Sequence, residues 1–530
     1  MTMPRVLVIA GSDSSGGAGL EADQKVLAAH RCYAMTATTA LTAQNTLGVE
    51  DVHITPPAFV AKQIDACLCD IGCDVVKLGM LASAETIKII ADALTRHGVS
   101  TVVLDPVMVS TSGAQLLPGD AVRNLRDLLL PLTTILTPNI PEATLLLRDA
   151  DIQYKSPSNL DDLKLLAKLV YSLGPKAVLL KGGHMPLTKS YEKANSDDEK
   201  QLTVDILYDG DGDNYMIIES EYIDSRNTHG TGCSLASAIA ANLALQISQS
   251  SSSPSSSSSS SSLSLPTATR LAVRYVTSGI SSADPTLGKG SGPINHFHNV
   301  QHHVFSRGHF IEYLLSHPKI QPVWKAYTQH EFTLQLARGT LDETIFKNYL
   351  IQDYLYLRHF ARTHSLAGYK SKTMSSIAAS AQIVLHIQRE TDLHKTYCAE
   401  FGISETDLES PDRRESLACV AYSRYVLDIG HSQDWLALQM ALAPCLLGYG
   451  EAARMLYADP LSVTAEKGNR YWKWVENYVA EDYAQAVDVG RELIEREIVK
   501  QSPERVDELM EIFLRAAEME VRFWDLDAHV

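Results

Sequence analysis

Long uninterrupted apolar runs, a basic excess and a dense set of cysteines are all missing from this 530-residue chain. Without an apolar run long enough to span a bilayer, a membrane-spanning chain is not expected. Lysine and arginine number 46 against 63 acidic residues, a formal net charge of -17, which excludes a non-specific phosphate-backbone binder and argues against nucleic acid as a partner. The eight cysteines are spread thinly, as in a reduced, cytoplasmic protein rather than a disulfide framework. The opening MTMPRVLVIAG enters a strand-like run at once and leaves no room for a signal peptide. No tryptophan precedes Trp324.

That asymmetry continues in the patterning. Before residue 300, short Val/Ile/Leu runs ("RVLVIAG", "DVVKLGM", "STVVLDPVM", "TTILTPN", "KAVLLKGG") alternate with helical segments. Runs without polar alternation suit parallel strands buried on both faces, and their Gly, Asp-Pro and Pro-Asn ends suit ligand loops. The spacing predicts an α/β domain over residues 1–300 with a mostly parallel sheet flanked by helices, then an all-α helical bundle over 305–530. The near-pure serine stretch at about 248–264 cannot bury enough apolar surface to offset its ordering entropy and is expected to be disordered. It reads as an insertion within the first domain rather than the linker, because "TATRLAVRYVTSGISSADPTLGKGSGP" after it still looks like that domain.

Gly17 to Ala22 fits G-x-G-x-x-A, but no acidic residue follows at the distance a ribose requires, and Gly-Lys-Ser/Thr is absent, so neither dinucleotide fingerprint nor P-loop is supported. Gly230-Thr231-Gly232-Cys233, just ahead of an apolar helix, is an anion site on physical grounds: free N–H groups and the positive helix end converge there, in a field that lowers a thiol's pKa. A helix start with a buried cysteine would look the same in isolation. Cys67, Cys69 and Cys73, and the histidines His296, His298, His302, His303 and His309, are read as structural rather than metal-binding.

The motifs "GSDSSGGAGLEAD", "TAQNTLGV", "KLGML", "LDPVM", "TPNIPEA", "LLKGGH", "NTHGTGC" and "GKGSGP", in this order, resemble the hydroxymethylpyrimidine and phosphomethylpyrimidine kinases of thiamine biosynthesis, members of the ribokinase-like superfamily. The resemblance implies phosphorylation of the pyrimidine alcohol, and then of its phosphate, by ATP and Mg²⁺. It implies that Asp23 and Gln44 hydrogen-bond the aminopyrimidine, that Gly11, Met80 and Val107 wall the pocket, and that Gly230, Thr231 and Gly232 bind the transferring phosphoryl group. By the same resemblance Cys233 is the base, Asp105 and Glu142 hold Mg²⁺, and Asn139 and Lys181 face the nucleotide phosphates. Ser14 stands where the family usually has proline, which is expected to be of little consequence. A pyridoxal kinase shares the scaffold and is the nearest alternative.

In the helical half, "YLIQDYLYLRHFA", "AYSRYVL", "ALAPCLLGYGE", "YWKWVENYV" and "EMEVRFWD" resemble the thiaminase II family, called TenA. Aromatic stripes at helical spacing are most simply core packing; carboxylates on apolar faces, such as Asp353 and Glu520, need partners. The resemblance implies that Cys445 is the nucleophile, Glu520 the acid/base group and Asp353 the anchor of the amino group. Tyr356 shares a helix face with Asp353, and Tyr422, Tyr449 and Tyr478 match the family's pocket tyrosines; Phe360 stacks on the ring. The implied reaction releases hydroxymethylpyrimidine from thiamine or an aminopyrimidine breakdown product, and the implied assembly is a homo-oligomer through this domain. A non-catalytic oligomerisation module is the competing reading.

Overall fold

The computed structural model describes residues 3–108, 117–210, 214–251, 264–410 and 412–525. The chain divides into two compact units, 1–300 and 301–530.

In the first unit ten strands form two sheets. They are β1 (Arg5–Ala10), β2 (Tyr33–Thr38), β3 (Ala40–Asn45), β4 (Gly48–Ile54), β5 (Val75–Leu78), β6 (Val102–Leu104), β7 (Ile135–Leu136), β8 (Val178–Leu180), β9 (Leu202–Tyr208) and β10 (Tyr215–Glu221). The large sheet runs β10-β9-β8-β7-β6-β5-β1-β2, and β3-β4 form a separate hairpin. From β2 to β8 every pairing is parallel; β9 and β10 close the edge antiparallel. The apolar runs are buried on both faces because strand side chains alternate. Leu7, Ile9, Val76 and Leu78 enter one core, while Val6, Val8, Val75 and Val103 enter the other.

The serine-rich stretch differs in its boundaries from the expectation. Residues 248–251 are helical, ending the helix Thr231–Ser251, and Ser264 caps the helix Leu265–Ser281, its Oγ accepting from the Thr267 N–H at 3.4 Å. The helix runs one turn past the composition change, its last apolar residue being Ile247. The stretch 252–263 lies outside the described residues. Because Val273, Val276 and Ile280 of the following helix line the cavity described below, the insertion falls inside the first unit.

The second unit is helical throughout its described residues, with one apolar core. Its long helices are Glu343–Lys370, Met374–Glu400, Leu417–Ser432, Trp435–Ala458, Glu481–Ile498 and Pro503–Trp524. One of them, Trp435–Ala458, is long and apolar enough to cross a membrane, contrary to the sequence expectation; 78% of its most apolar window is buried inside the protein. It is apolar all round because neighbouring helices cover it. The helix continues through Pro444, which ordinarily costs about 3 kcal/mol in a helix interior, and the residue after it is Cys445.

Candidate active sites

Four cavity residues stand just beyond the carboxyl ends of parallel strands: Gly11, Asp105 and Lys181 directly after β1, β6 and β8, and Asn139 three residues past the last of β7. That is where an open α/β sheet gathers its ligand residues. They line one cavity of about 600 Å³ together with Gln44, Met80, Val107, Glu142, Gly230, Thr231, Gly232 and Cys233.

The turn before the helix Thr231–Ser251 is built for close approach. Gly230 has φ +76°, and a Cβ there would collide with the carbonyl oxygen of Gly17. The helix dipole and the first-turn N–H groups make this end electropositive. We predict that Gly230→Ala lowers the phosphorylation rate by about 10²-fold or more, the scale of a lost oxyanion-type donor, measured as kcat under saturating substrates.

Lys181 Nζ donates to Asp105 Oδ1 at 2.7 Å and lies 3.8 Å from Glu142 Oε2. Burial, outweighing the pull of Lys181 and reinforced by Asp105, raises the Glu142 carboxyl to about 7. Glu142 also closes a capping box: it accepts from the Asn139 N–H at 2.8 Å, while Asn139 Oδ1 accepts from the Glu142 N–H at 2.8 Å. A buried carboxyl such as Glu142, whose proton affinity burial and a neighbouring acid raise, belongs to a donor set that a hard dication would relieve. No three His, Cys, Asp or Glu residues converge on a metal position among the described residues. The pair therefore suits an ion that keeps water and phosphate oxygens as its remaining ligands, as Mg²⁺ does.

Two expectations fail. Asp23 does not line the cavity. It is fully buried, with Lys77 Nζ 2.9 and 2.8 Å from its two oxygens and Ser237 Oγ donating at 2.7 Å, so its carboxylate is engaged inside the protein rather than turned to the cavity. Its place is structural, beneath the helix that carries Cys233. The Cys233 thiol is not lowered either. Burial pushes it up to about 12; Lys77 pulls the other way, while Asp23 and Asp105 add to the rise. Desolvation outweighs the helix end, and the thiol is neutral in the ligand-free site.

Ser14 has more consequence than expected. Its Oγ donates to the Gln44 carbonyl at 2.8 Å and accepts from the Gln44 N–H at 2.8 Å, pinning that residue in a way proline cannot. The sequence reading missed three further residues. Lys77 sits in the otherwise apolar β5, a pattern that itself demands a buried acid. Asp13 and His229 lie inside quoted motifs without a role, yet His229 Nε2 donates to Asp13 Oδ2 at 2.8 Å on the cavity wall.

Residues 13–295 match the phosphomethylpyrimidine kinase family and residues 317–528 match the TENA/THI-4/PQQC family. A Schizosaccharomyces pombe protein called putative hydroxymethylpyrimidine/phosphomethylpyrimidine kinase 2 is 44% identical over 523 residues, 99% of this chain and 91% of that one. The chain belongs to the phosphomethylpyrimidine kinase family, with a C-terminal TENA/THI-4 domain. The Saccharomyces cerevisiae hydroxymethylpyrimidine/phosphomethylpyrimidine kinase THI20 is 35% identical, with 98% of this chain and 95% of its own length covered. A Geobacter sulfurreducens thiamine biosynthesis bifunctional protein, ThiED, is 45% identical over 55% of this chain and 52% of its own length.

The TENA/THI-4 domain gathers its candidates around Glu520, which is 1% exposed. Tyr422 Oη donates to Glu520 Oε1 at 2.7 Å. Burial raises the carboxyl to about 8 despite that bond, and the charge of Asp353 adds to the rise. The Tyr327 hydroxyl favours the carboxylate without meeting full hydrogen-bond geometry. Cys445, half-buried, is near enough to act electrostatically on Tyr327, Tyr356 and Tyr422. Tyr356 stacks on Tyr422 with centroids 5.0 Å apart and on Phe360 at 6.0 Å; Tyr449 meets Tyr478 at 5.0 Å and Trp524 at 5.3 Å. Asp353 lies 3.7 Å from His394 Nδ1. Five helices thus carry the predicted set, and Tyr327, Tyr349 and Trp474 join it unforeseen: the Trp474 Nε1–H donates to Tyr349 Oη at 3.1 Å. Their signal, aromatic helix spacing, is shared with every core position.

Glu520 is protonated at neutral pH and so is an acid before it is a base. Hydrolysis that depends on this proton is expected to fall as pH rises through about 8; Glu520→Gln should remove that limb and most of the rate, measured as kcat against pH.

Proposed function

We propose that the kinase domain transfers the γ-phosphoryl group of ATP to the hydroxymethyl oxygen of 4-amino-5-hydroxymethyl-2-methylpyrimidine, and then phosphorylates that phosphate. The C-terminal domain hydrolyses thiamine or aminopyrimidine breakdown products to hydroxymethylpyrimidine, so one domain recovers what the other consumes. The observation that carries the first half is the single cavity joining the Gly230–Cys233 turn to Gly11, Gln44, Met80 and Val107.

Gln44 presents amide groups to the aminopyrimidine, with Gly11, Met80 and Val107 closing round the ring. A side chain at Gly11 would run into Met80, so only glycine lets the two meet at this wall. The Gly230–Cys233 amides hold the phosphoryl group where negative charge develops. Asp105 and Glu142 would hold Mg²⁺, which supplies charge neutralisation on the phosphates. Lys181, already between these acids, contributes a second positive charge. The alcohol proton leaves toward Cys233, which accepts it only after losing its own. In the second domain Cys445 Sγ adds to the pyrimidine ring, Glu520 gives the proton that accompanies departure of the leaving group from the methylene carbon, water adds at that carbon, and the sulfur–ring bond breaks as Glu520 recovers the proton, with Asp353 orienting the amine within the tyrosine shell.

The thin spread of eight cysteines over 530 residues fits activity in the cytoplasm. Exposed Met374, Ile377 and Leu385 lie on one side of the helix Met374–Glu400 and supply an apolar face for a homo-oligomer.

Incubation with ATP, Mg²⁺ and hydroxymethylpyrimidine, with pyridoxal as competitor, should yield the pyrimidine mono- and diphosphates by mass. Preferential pyridoxal phosphorylation would favour the alternative substrate. Chelating the metal should stop phosphorylation and leave hydrolysis unchanged.

A further inference from the structure

Gln44, Asp13 and His229 form a relay whose hydrogen-bond logic has one solution. Asp13 receives five donors: Ser15 N–H and Oγ–H on Oδ1 at 2.9 and 2.7 Å, and Gly17 N–H, Ala18 N–H and His229 Nε2 on Oδ2 at 3.1, 2.8 and 2.8 Å. Burial alone would raise this carboxyl, but the bonds from His229, Ser15 and Ala18 hold it down to about 2. It is therefore a carboxylate, an acceptor only. Nε2 of His229 must carry a hydrogen, in the neutral as in the charged ring.

As placed, the Gln44 amide nitrogen lies 3.3 Å from that same Nε2 and the amide oxygen 3.1 Å from Thr42 Oγ1, an arrangement that a flip of the amide reverses. Thr42 has a single hydroxyl proton, and the Ser12 carbonyl, at 2.9 Å, takes it. Thr42 Oγ1 thus offers Gln44 a lone pair, and His229 offers it a share, in a three-centre bond, of the one Nε2 hydrogen that Asp13 already holds. Amide oxygen and nitrogen are assigned from their partners. Both contacts are satisfied only when the Gln44 oxygen faces His229 and its NH₂ faces Thr42. Ser14 already fixes the backbone of Gln44 from outside.

We propose that the Asp13–His229 pair is the specificity device of the kinase pocket, locking the Gln44 amide in one orientation so that it reads an amine beside a ring nitrogen. One oxygen lone pair and one N–H remain for the ligand, side by side. This edge accepts from an exocyclic amine and donates to the adjacent ring nitrogen, the match glutamine makes with adenine. A ring anchored by its hydroxymethyl group at the Gly230–Cys233 turn cannot turn over to exchange the two positions. The 4-oxo analogue, with acceptor and donor reversed, meets oxygen against oxygen. Asp13 and His229 are positioning residues acting through Gln44.

This rests on the pyrimidine-kinase reading, and the test separates the two. Turnover of hydroxymethylpyrimidine and of its 4-oxo analogue is compared in wild type, Asp13→Asn and His229→Phe, with binding of an ATP analogue reporting an intact fold. Wild type should prefer the amine by about 10²-fold or more, the scale of a site left with unpaired polar groups. Each variant should narrow that ratio at least tenfold, through a raised KM for the amine, with nucleotide affinity unchanged. If wild type turns over neither pyrimidine, the functional reading fails. If wild type discriminates and both variants keep its ratio, the relay is overturned while that reading stands. Should Asp13→Asn not bind nucleotide, His229→Phe and His229→Gln decide by the same ratio.

Discussion

Replacing Cys445 with serine is expected to lower hydrolysis by about 10²–10⁴-fold and to leave ATP-dependent phosphorylation at the wild-type rate. A serine hydroxyl is a far weaker nucleophile than a thiol at neutral pH. The side chains are close in size, and Cys445 is half-buried in a helix held by fifteen other buried positions' packing rather than by its own. The measurement is kcat for each reaction on one preparation. Equal loss of both activities would contradict two separate sites. Pro444 sharpens the expectation: a proline, which has no N–H to give the helix, stands beside the sulfur proposed as nucleophile.

The second large effect concerns Cys233. A base whose thiol is held up to about 12 is almost wholly protonated at neutral pH. Raising the pH increases the thiolate fraction, so phosphorylation should climb by about tenfold per pH unit between 7 and 9. Cys233→Ala should cost about 10²–10⁴-fold and flatten the profile. Cys233→Asp, which brings a carboxylate to the same turn, should restore part of the rate with no alkaline climb. A wild-type profile flat from pH 7 to 9 would remove Cys233 as the base.

The parallel strands were legible in the sequence because their apolar runs lack alternation, and the site was legible because its residues follow those strands within three residues: Asp105 after β6, Asn139 after β7, Lys181 after β8. What escaped was what depends on partners distant in the chain. Asp23 looked available until Lys77 and Ser237 occupied it. The Cys233 position at a helix start argued for a lowered thiol, but the depth of the surrounding protein, which no local pattern records, reversed the sign. Ser14 looked neutral because its bonds reach Gln44, thirty residues on. In the helical domain the spacing of Asp353 with Tyr356 and of Cys445 with Tyr449 was readable. The convergence of their helices on Glu520 was implied by family resemblance and not by spacing.

The most direct measurement supplies thiamine or an aminopyrimidine analogue as the sole pyrimidine, with ATP and Mg²⁺, and follows product masses over time. The account predicts hydroxymethylpyrimidine appearing first and its mono- and diphosphates after it, the phosphates absent with Cys233→Ala and every product absent with Cys445→Ser. Free hydroxymethylpyrimidine accumulating unphosphorylated with the wild-type chain would contradict it.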